Sequence, residues 1–82
     1  MEYQPIVMLR PKEIWKRCGK GRSAFYDDLA RGLMPRLVAV GLRAKALPAH
    51  EVDAVNAARV AGRSENEIRE LVRRLEAARG AA

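Results

Sequence analysis

The pattern of apolar and polar positions predicts a helix that begins at Pro11. Ile14, Trp15 and Cys18 lie on one side of it, and lysines and arginines lie on the other. Proline suits the first turn of a helix, because the N–H that it lacks would have no partner there. Residues 19–21 (GKG) then form a tight turn that ends this helix.

A second helix is predicted over residues 22–31. Phe25, Leu29 and Leu33 recur every four residues and define its buried stripe. Gly32 ends the helix, and Pro35 prevents its continuation. Two short helices joined by a three-residue turn indicate a helix-turn-helix.

Two short apolar runs, at residues 37–40 and 44–47, flank a glycine-containing turn at residues 41–43. This arrangement predicts a β-hairpin. Residues 6–9 are a candidate for a further short strand. A third helix follows the hairpin directly and ends near Gly62, and three valines are expected to face inward from it: Val52, Val55 and Val60.

A capping box marks the start of the last helix. The Ser64 hydroxyl can accept a hydrogen bond from a backbone N–H of the first turn, and Glu67 can reach back to the N–H of Ser64. The helix then carries apolar residues at positions i, i+3, i+4 and i+7, namely Ile68, Leu71, Val72 and Leu75. Gly80 is a natural C-terminal stop.

Together these elements predict a mainly α protein with a small β-hairpin wing, that is, a winged helix-turn-helix plus a C-terminal helix. Residues 1–62 would form the winged helix-turn-helix domain, and residues 63–80 the amphipathic helix. The apolar stripe of that helix can be covered in either of two ways. It either completes the core of its own domain or serves as a self-association surface formed by Ile68, Leu71, Val72 and Leu75.

The net charge of +6 is unevenly distributed along the 82 residues. Residues 1–48 hold ten lysines and arginines against four acidic residues, whereas residues 49–82 hold six of each. A one-sided basic field attracts a polyanion, and the phosphate backbone of nucleic acid is the commonest one inside cells. Charge and size together therefore predict a protein that binds nucleic acid.

Several other classes of protein need residues that this chain lacks. One cysteine, Cys18, and one histidine, His50, cannot supply a four-ligand metal site or an internal disulfide, so neither a metal nor a cofactor is expected. Nothing in the spacing around His50 brings a nucleophile and a base together, which argues against an enzyme with a small-molecule substrate. The longest apolar runs are four residues and no leader precedes them, so we expect a cytoplasmic protein that does not bind a membrane.

Recognition helices present their N-terminal residues to the bases of the major groove. With Phe25 and Leu29 buried, the outward face of a helix that turns by about 100° per residue centres on Ser23, Asp27 and Arg31. Ser23 can pair with several bases, and Asp27 can accept a hydrogen bond from cytosine. Asp27 and its neighbour Asp28 could instead balance the helix dipole.

The remaining DNA contacts are predicted from charge and position. Arg22 and Tyr26 flank the base-reading face. Phosphate contacts, which position a helix without reading sequence, are expected from Lys20, Arg22 and Arg31. At the tip of the hairpin, Arg43 with Lys45 beside it would reach an adjacent minor groove or its phosphates.

The order and spacing of these motifs resemble the AlpA-like family, MerR-like winged-helix regulators and excisionases of phages and mobile elements. The similar positions span roughly residues 8–80 and comprise residues 9–14 (LRPKEI), Cys18, Gly19, Arg22, Ser23, Tyr26, residues 32–35, Gly41, Arg43, residues 51–54 (EVDA), residues 57–59 and residues 64–65. Three positions depart from the family: Gly21 replaces a capping serine, Asp27 a frequent arginine, and Leu47 a frequent tryptophan.

The resemblance implies a protein that binds double-stranded DNA sequence-specifically. It would act as an excisionase (a recombination directionality factor), as a transcriptional regulator, or as both, with an integrase as a candidate partner. One small domain covers few base pairs, so cooperative self-association on DNA is expected, and the resemblance favours direct repeats over a twofold dimer. A different class of function remains open from the residues: the C-terminal stripe could belong to a protein-interaction adaptor or antiactivator.

Overall fold

Four helices and three short strands make up residues 5–80, the part of the chain that the computed structural model describes. In chain order they are β1 (Met8–Leu9), α1 (Pro11–Arg17), α2 (Arg22–Ala30), β2 (Val38–Ala39), β3 (Lys45–Pro48), α3 (Ala49–Val60) and α4 (Glu65–Ala78). The helices contain about half of all residues, as a mainly α protein requires. Within the described residues, none of the helices has the length and apolarity to cross a membrane.

The three strands form one antiparallel sheet in the order β1-β3-β2. The register pairs Leu9 with Leu47 on one side of β3, and Ala39 with Lys45 on the other. The hairpin of β2 and β3 is therefore confirmed, and the candidate strand near the start of the chain pairs with it as β1. β2 has two residues and is shorter than the apolar run at residues 37–40, whereas β3 has four residues and begins one position later than the run at residues 44–47. The short β2 is consistent with the alanine in its run, since alanine is a poor strand former.

A single hydrophobic core joins all four helices to the sheet. Its buried members are Leu9, Ile14, Phe25, Leu33, Met34, Leu47, Val52, Val55, Ile68 and Val72. Trp15, Cys18 and Leu29 are half-buried and pack against this core, on the faces predicted to be inward. Burial also raises the pKa of the Cys18 thiol, which keeps it protonated and makes it a small apolar group.

The inward orientation predicted for Val60 is wrong. Its side chain is 90% exposed. Val60 follows Val55 by five residues, which rotates it by roughly 140° around α3 and away from the core. Val52 and Val55, three residues apart, are both fully buried.

The turn between α1 and α2 requires glycine at only one of its two glycine positions. Gly19 has a φ of 69°, in the left-handed region that is unfavourable for side chains with a Cβ. Gly21 has a φ of −98° and serves as the extended residue before α2. The backbone N–H of Lys20 donates to the carbonyl of Trp15 at 2.8 Å, which closes the turn.

The C-terminal helix α4 packs within its own chain. It begins with the predicted capping box: Ser64 Oγ accepts from the N–H of Glu67 at 3.2 Å, and Glu67 Oε1 accepts from the N–H of Ser64 at 2.9 Å. Ile68 and Val72 are buried in the core, whereas Leu71 and Leu75 are half-buried at its edge. Half of the predicted self-association stripe is thus enclosed by the monomer.

Candidate nucleic-acid interface

The candidate interface begins where α1 and α2 meet through three aromatic rings. Trp15 of α1 lies edge-on to Tyr26 of α2, with ring centroids 6.4 Å apart, and 5.9 Å from Phe25. Phe25 is buried, while Tyr26 remains 41% exposed. These contacts fix the two helices against each other and leave the tyrosine at the surface between them.

The predicted base-reading side chains of α2 are exposed to solvent. Arg22, Ser23, Tyr26 and Asp27 are all exposed. The guanidinium of Arg22 lies 5.7 Å from the centroid of the Tyr26 ring, within the range of a cation–π contact. The structure therefore brings Arg22, Ser23 and Tyr26 to one surface at the start of the helix.

Lys20 and Arg31, predicted as phosphate contacts, are bound by carboxylates of the same chain. The ammonium of Lys20 pairs with Asp28, which is only 4% exposed and also lies 3.4 Å from Arg59. Asp28 is thus a buried, ion-paired residue rather than a solvent-facing balance to the helix dipole. It ties the α1–α2 turn and α3 to the inner side of α2.

Arg31 lies at the opposite end of α2 from Arg22. One of its guanidinium nitrogens donates to both carboxylate oxygens of Glu65, at 2.7 and 2.8 Å, and another lies 3.7 Å from Asp27. Arg69 of α4 also donates to the backbone carbonyl of Arg31 at 2.8 Å. The start of α4 therefore flanks the C-terminal end of the predicted base-reading face and places a carboxylate there.

Arg43 and Lys45 occupy different parts of the hairpin. Arg43 is exposed in the turn between β2 and β3. Lys45 begins β3 and lines an open groove of about 570 Å³ between the hairpin and α4, together with Arg36, Arg69, Arg73 and Glu76. Both cations are exposed, Arg43 in the turn and Lys45 at the start of β3.

Ion pairing separates the sixteen lysines and arginines into two groups. Nine have a carboxylate oxygen within 4.0 Å. In residues 5–80 no such carboxylate is found for the other seven, which are Arg10, Lys12, Lys16, Arg22, Arg43, Lys45 and Arg74. Six of these seven precede α3. The excess positive charge is thus exposed on α1, the start of α2 and the hairpin.

Sequence reasoning assigned no role to the lysines of α1. Lys12, Trp15 and Lys16 are spaced at i, i+3 and i+4, so Trp15, at the edge of the inward face, adjoins both lysines on the surface of α1. Because Trp15 touches Tyr26, this surface continues into the exposed residues of α2. The spacing of two lysines around a half-buried tryptophan is the signal that would have identified them.

Arg17, the third cation of α1, belongs to the paired group. It donates to both oxygens of Asp53 on α3, at 2.7 and 2.9 Å. This hydrogen bonding lowers the pKa of Asp53 and keeps the carboxylate ionised. The pair joins α1 to α3, and the carboxylate of Asp53 balances the positive charge of Arg17 at the surface.

The chain was compared with family models, with curated proteins and with solved structures, and none of them matches it.

Proposed function

We propose that this chain binds double-stranded DNA as a winged helix-turn-helix protein, with α1 and α2 as the helix-turn-helix and the β2–β3 hairpin as the wing. The observation that carries the proposal is the placement of cations without a carboxylate partner. Six of them lie within residues 10–45. Four of the six are at the N-cap of α1, on α1 or at the start of α2, the two helices whose Trp15 and Tyr26 rings meet: Arg10, Lys12, Lys16 and Arg22. Charge left unneutralised by the protein is available to phosphates.

The residues around α2 suggest how the protein would be oriented on the DNA. Its N-terminal residues enter the major groove, with Ser23 facing base edges and Arg22 and Tyr26 beside it. Lys12 and Lys16 on α1 contact the phosphates that border the groove, and Arg43 contacts the backbone or minor groove further along. The C-terminal end of α2 stays away from the DNA, because Asp27 and Glu65 would face phosphates there.

The AlpA resemblance supports the biological role. The protein acts on a mobile element, either at a promoter as a regulator or beside an attachment site as an excisionase that assists an integrase. Several copies bind side by side on direct repeats. The adaptor alternative has a smaller apolar surface to rest on, since Ile68 and Val72 pack inside the chain and Leu71 and Leu75 are half-buried.

The proposal is tested by the salt dependence of binding to a duplex taken from the DNA that neighbours the protein's own gene. Lys16→Ala should weaken binding and lower the slope of log K against log salt by about one unit, as expected for one lost phosphate contact. Arg73→Ala is the matched control, because it removes the same charge from an exposed ion pair with Glu70 on α4. Equal slopes for both variants, or no binding by the wild type, would overturn the proposal.

A second measurement addresses base reading. Ser23→Ala removes an exposed hydroxyl without disturbing the core, so the variant should fold normally. If Ser23 contacts a base, selection from a randomised duplex pool should yield a changed preference at one position, worth about 1–3 kcal/mol. An unchanged preference would move the base contacts to other residues of α2.

A further inference from the structure

The turn of the β2–β3 hairpin carries a leucine that makes no contact with the rest of the protein. Leu42 is fully exposed, at 101% of its reference surface. The turn is held below it, because the N–H of Val40 donates to the carbonyl of Ala44 at 2.9 Å and Ala39 pairs with Lys45. Leu42 is therefore at the apex of a short, closed ribbon.

An exposed apolar side chain needs no explanation by itself, and Val60 provides the comparison within this chain. Val60 is also almost fully exposed, but the arginines around it, Arg59 and Arg63, are paired with carboxylates. Leu42 differs in two respects: it is at the tip of a ribbon, and Arg43 next to it has no carboxylate partner in the described part of the chain. An apolar tip beside an unneutralised cation is complementary to a DNA groove, where phosphates line the edges and stacked bases form the floor.

We infer that Leu42 inserts as a wedge between base pairs of the DNA minor groove and bends the duplex. The minor groove is about 6 Å wide, which excludes a two-stranded ribbon but admits single side chains from its tip. Leucine is among the residues that unstack base steps from this groove, and the resulting kink turns the DNA toward the major groove. Arg43 then contacts the phosphates or the groove edge beside the opened step.

This inference rests on the proposed DNA binding and adds an activity to it. Binding by the first two helices positions the wing over the neighbouring minor groove. The wedge converts that contact into a deformation, which is least costly at flexible pyrimidine–purine steps such as TA. The DNA sequence would then be selected partly by its deformability, at a step where the protein forms no hydrogen bond to a base.

The experiment uses the full-length protein and an A/T-rich duplex that contains TA steps, with 2-aminopurine replacing one adenine and a donor–acceptor dye pair on the ends. Unstacking raises the fluorescence of the base analogue, and bending raises energy transfer between the ends. Leu42→Ser is compared with wild type, with Leu42→Met, which keeps an apolar wedge, and with Val60→Ser. All three substitutions are at exposed positions and leave the core intact.

Wild type, Leu42→Met and Val60→Ser should all raise both signals at saturation. Leu42→Ser should still saturate the duplex with an unchanged salt slope but raise neither signal. The inference fails, with DNA binding intact, if wild type saturates the duplex without either signal or if Leu42→Ser gives the same signals as wild type. Absence of binding by the wild type would instead overturn the proposed function together with the inference.

Discussion

At the scale of single residues, the ion pair of Glu51 and Arg79 is buried at the edge of the core. Glu51 is 1% exposed, and Arg79 donates to its two oxygens at 2.6 and 2.9 Å. Removing one partner of a buried pair leaves an uncompensated charge, which typically costs about 3–5 kcal/mol. We expect Arg79→Met to lower the free energy of unfolding, measured by urea denaturation, by about 3 kcal/mol.

The double variant separates a buried charge from lost packing. Adding Glu51→Gln to Arg79→Met should recover much of the lost stability, because the uncharged amide no longer needs a cation. Arg73→Met serves as the exposed control and should change stability by less than about 1 kcal/mol, since its pair with Glu70 is on the surface. A similar loss for Arg73→Met and Arg79→Met would contradict this account.

Arg31 offers a second prediction at this scale, because Glu65 neutralises it. Glu65→Gln should leave Arg31 with the longer 3.7 Å contact to Asp27, and it removes one of the two carboxylates that keep this end of α2 away from the DNA. Affinity for duplex DNA should rise, and the salt slope should steepen by up to about one unit. Glu70→Gln changes the net charge equally and is the control, since within residues 5–80 Glu70 pairs with Arg73 alone. If both variants bind DNA alike, Arg31 has no access to phosphate.

The sequence shows which part of the chain carries the excess of positive charge, but it does not show which cations lack a carboxylate partner. Arg31 and Glu65 are 34 residues apart, and Arg17 and Asp53 are 36 apart. No local periodicity relates such partners, so only the folded chain reveals which arginines are neutralised. For the same reason Lys20 and Arg31 were predicted as phosphate contacts, whereas Lys12 and Lys16 were given no role.

At the scale of elements, local signals predict most boundaries well. Pro11 begins α1, the capping box at Ser64 precedes α4, and the hairpin lies where the apolar runs predict it. The first two signals succeed because each depends on a residue's own backbone preferences or on partners within four positions. The hairpin pairs residues six and eight positions apart across its short turn. The outward orientation of Val60 is also a local property, because an α-helix turns by about 140° in the five residues from Val55 to Val60.

The capping box also makes α4 sensitive to acid. Hydrogen bonds from Ser64 lower the pKa of Glu67 below its ordinary value. A depressed pKa in the folded state means that ionised Glu67 adds stability above its ordinary pKa, and this contribution is lost as the pH falls through the lower, folded-state value. Glu67→Gln should therefore reduce the loss of stability between about pH 6 and about pH 3. Thermal unfolding of both proteins at the two pH values measures this loss. If Glu67→Gln lost as much stability as wild type between the two pH values, the capping box would not be the cause.

At the scale of the whole molecule, the surface against which α4 packs determines whether the chain is one folding unit or two. The sequence shows an apolar stripe but does not say what covers it, because packing against its own chain and packing against a second copy need the same spacing. In the structure Ile68 and Val72 are buried in the core of the same chain. At the C-terminal end of α4, Arg79 also pairs with Glu51 of α3. Residues 1–62 alone are therefore an incomplete core, and any assembly on DNA must use other surfaces or the half-buried Leu71 and Leu75.

Deleting residues 64–82 tests that conclusion. The deletion removes Ile68 and Val72 from the core and leaves Glu51 buried without its cation, in a chain already too short to tolerate such losses. Far-ultraviolet circular dichroism of the truncated protein should show an unfolded chain at room temperature, and Ile68→Ala in the full chain should already cost about 2–5 kcal/mol. The opposite result is equally specific. A truncated protein that stays folded and binds single DNA sites normally, while losing cooperativity on repeated sites, would show that α4 serves neighbouring copies rather than its own core.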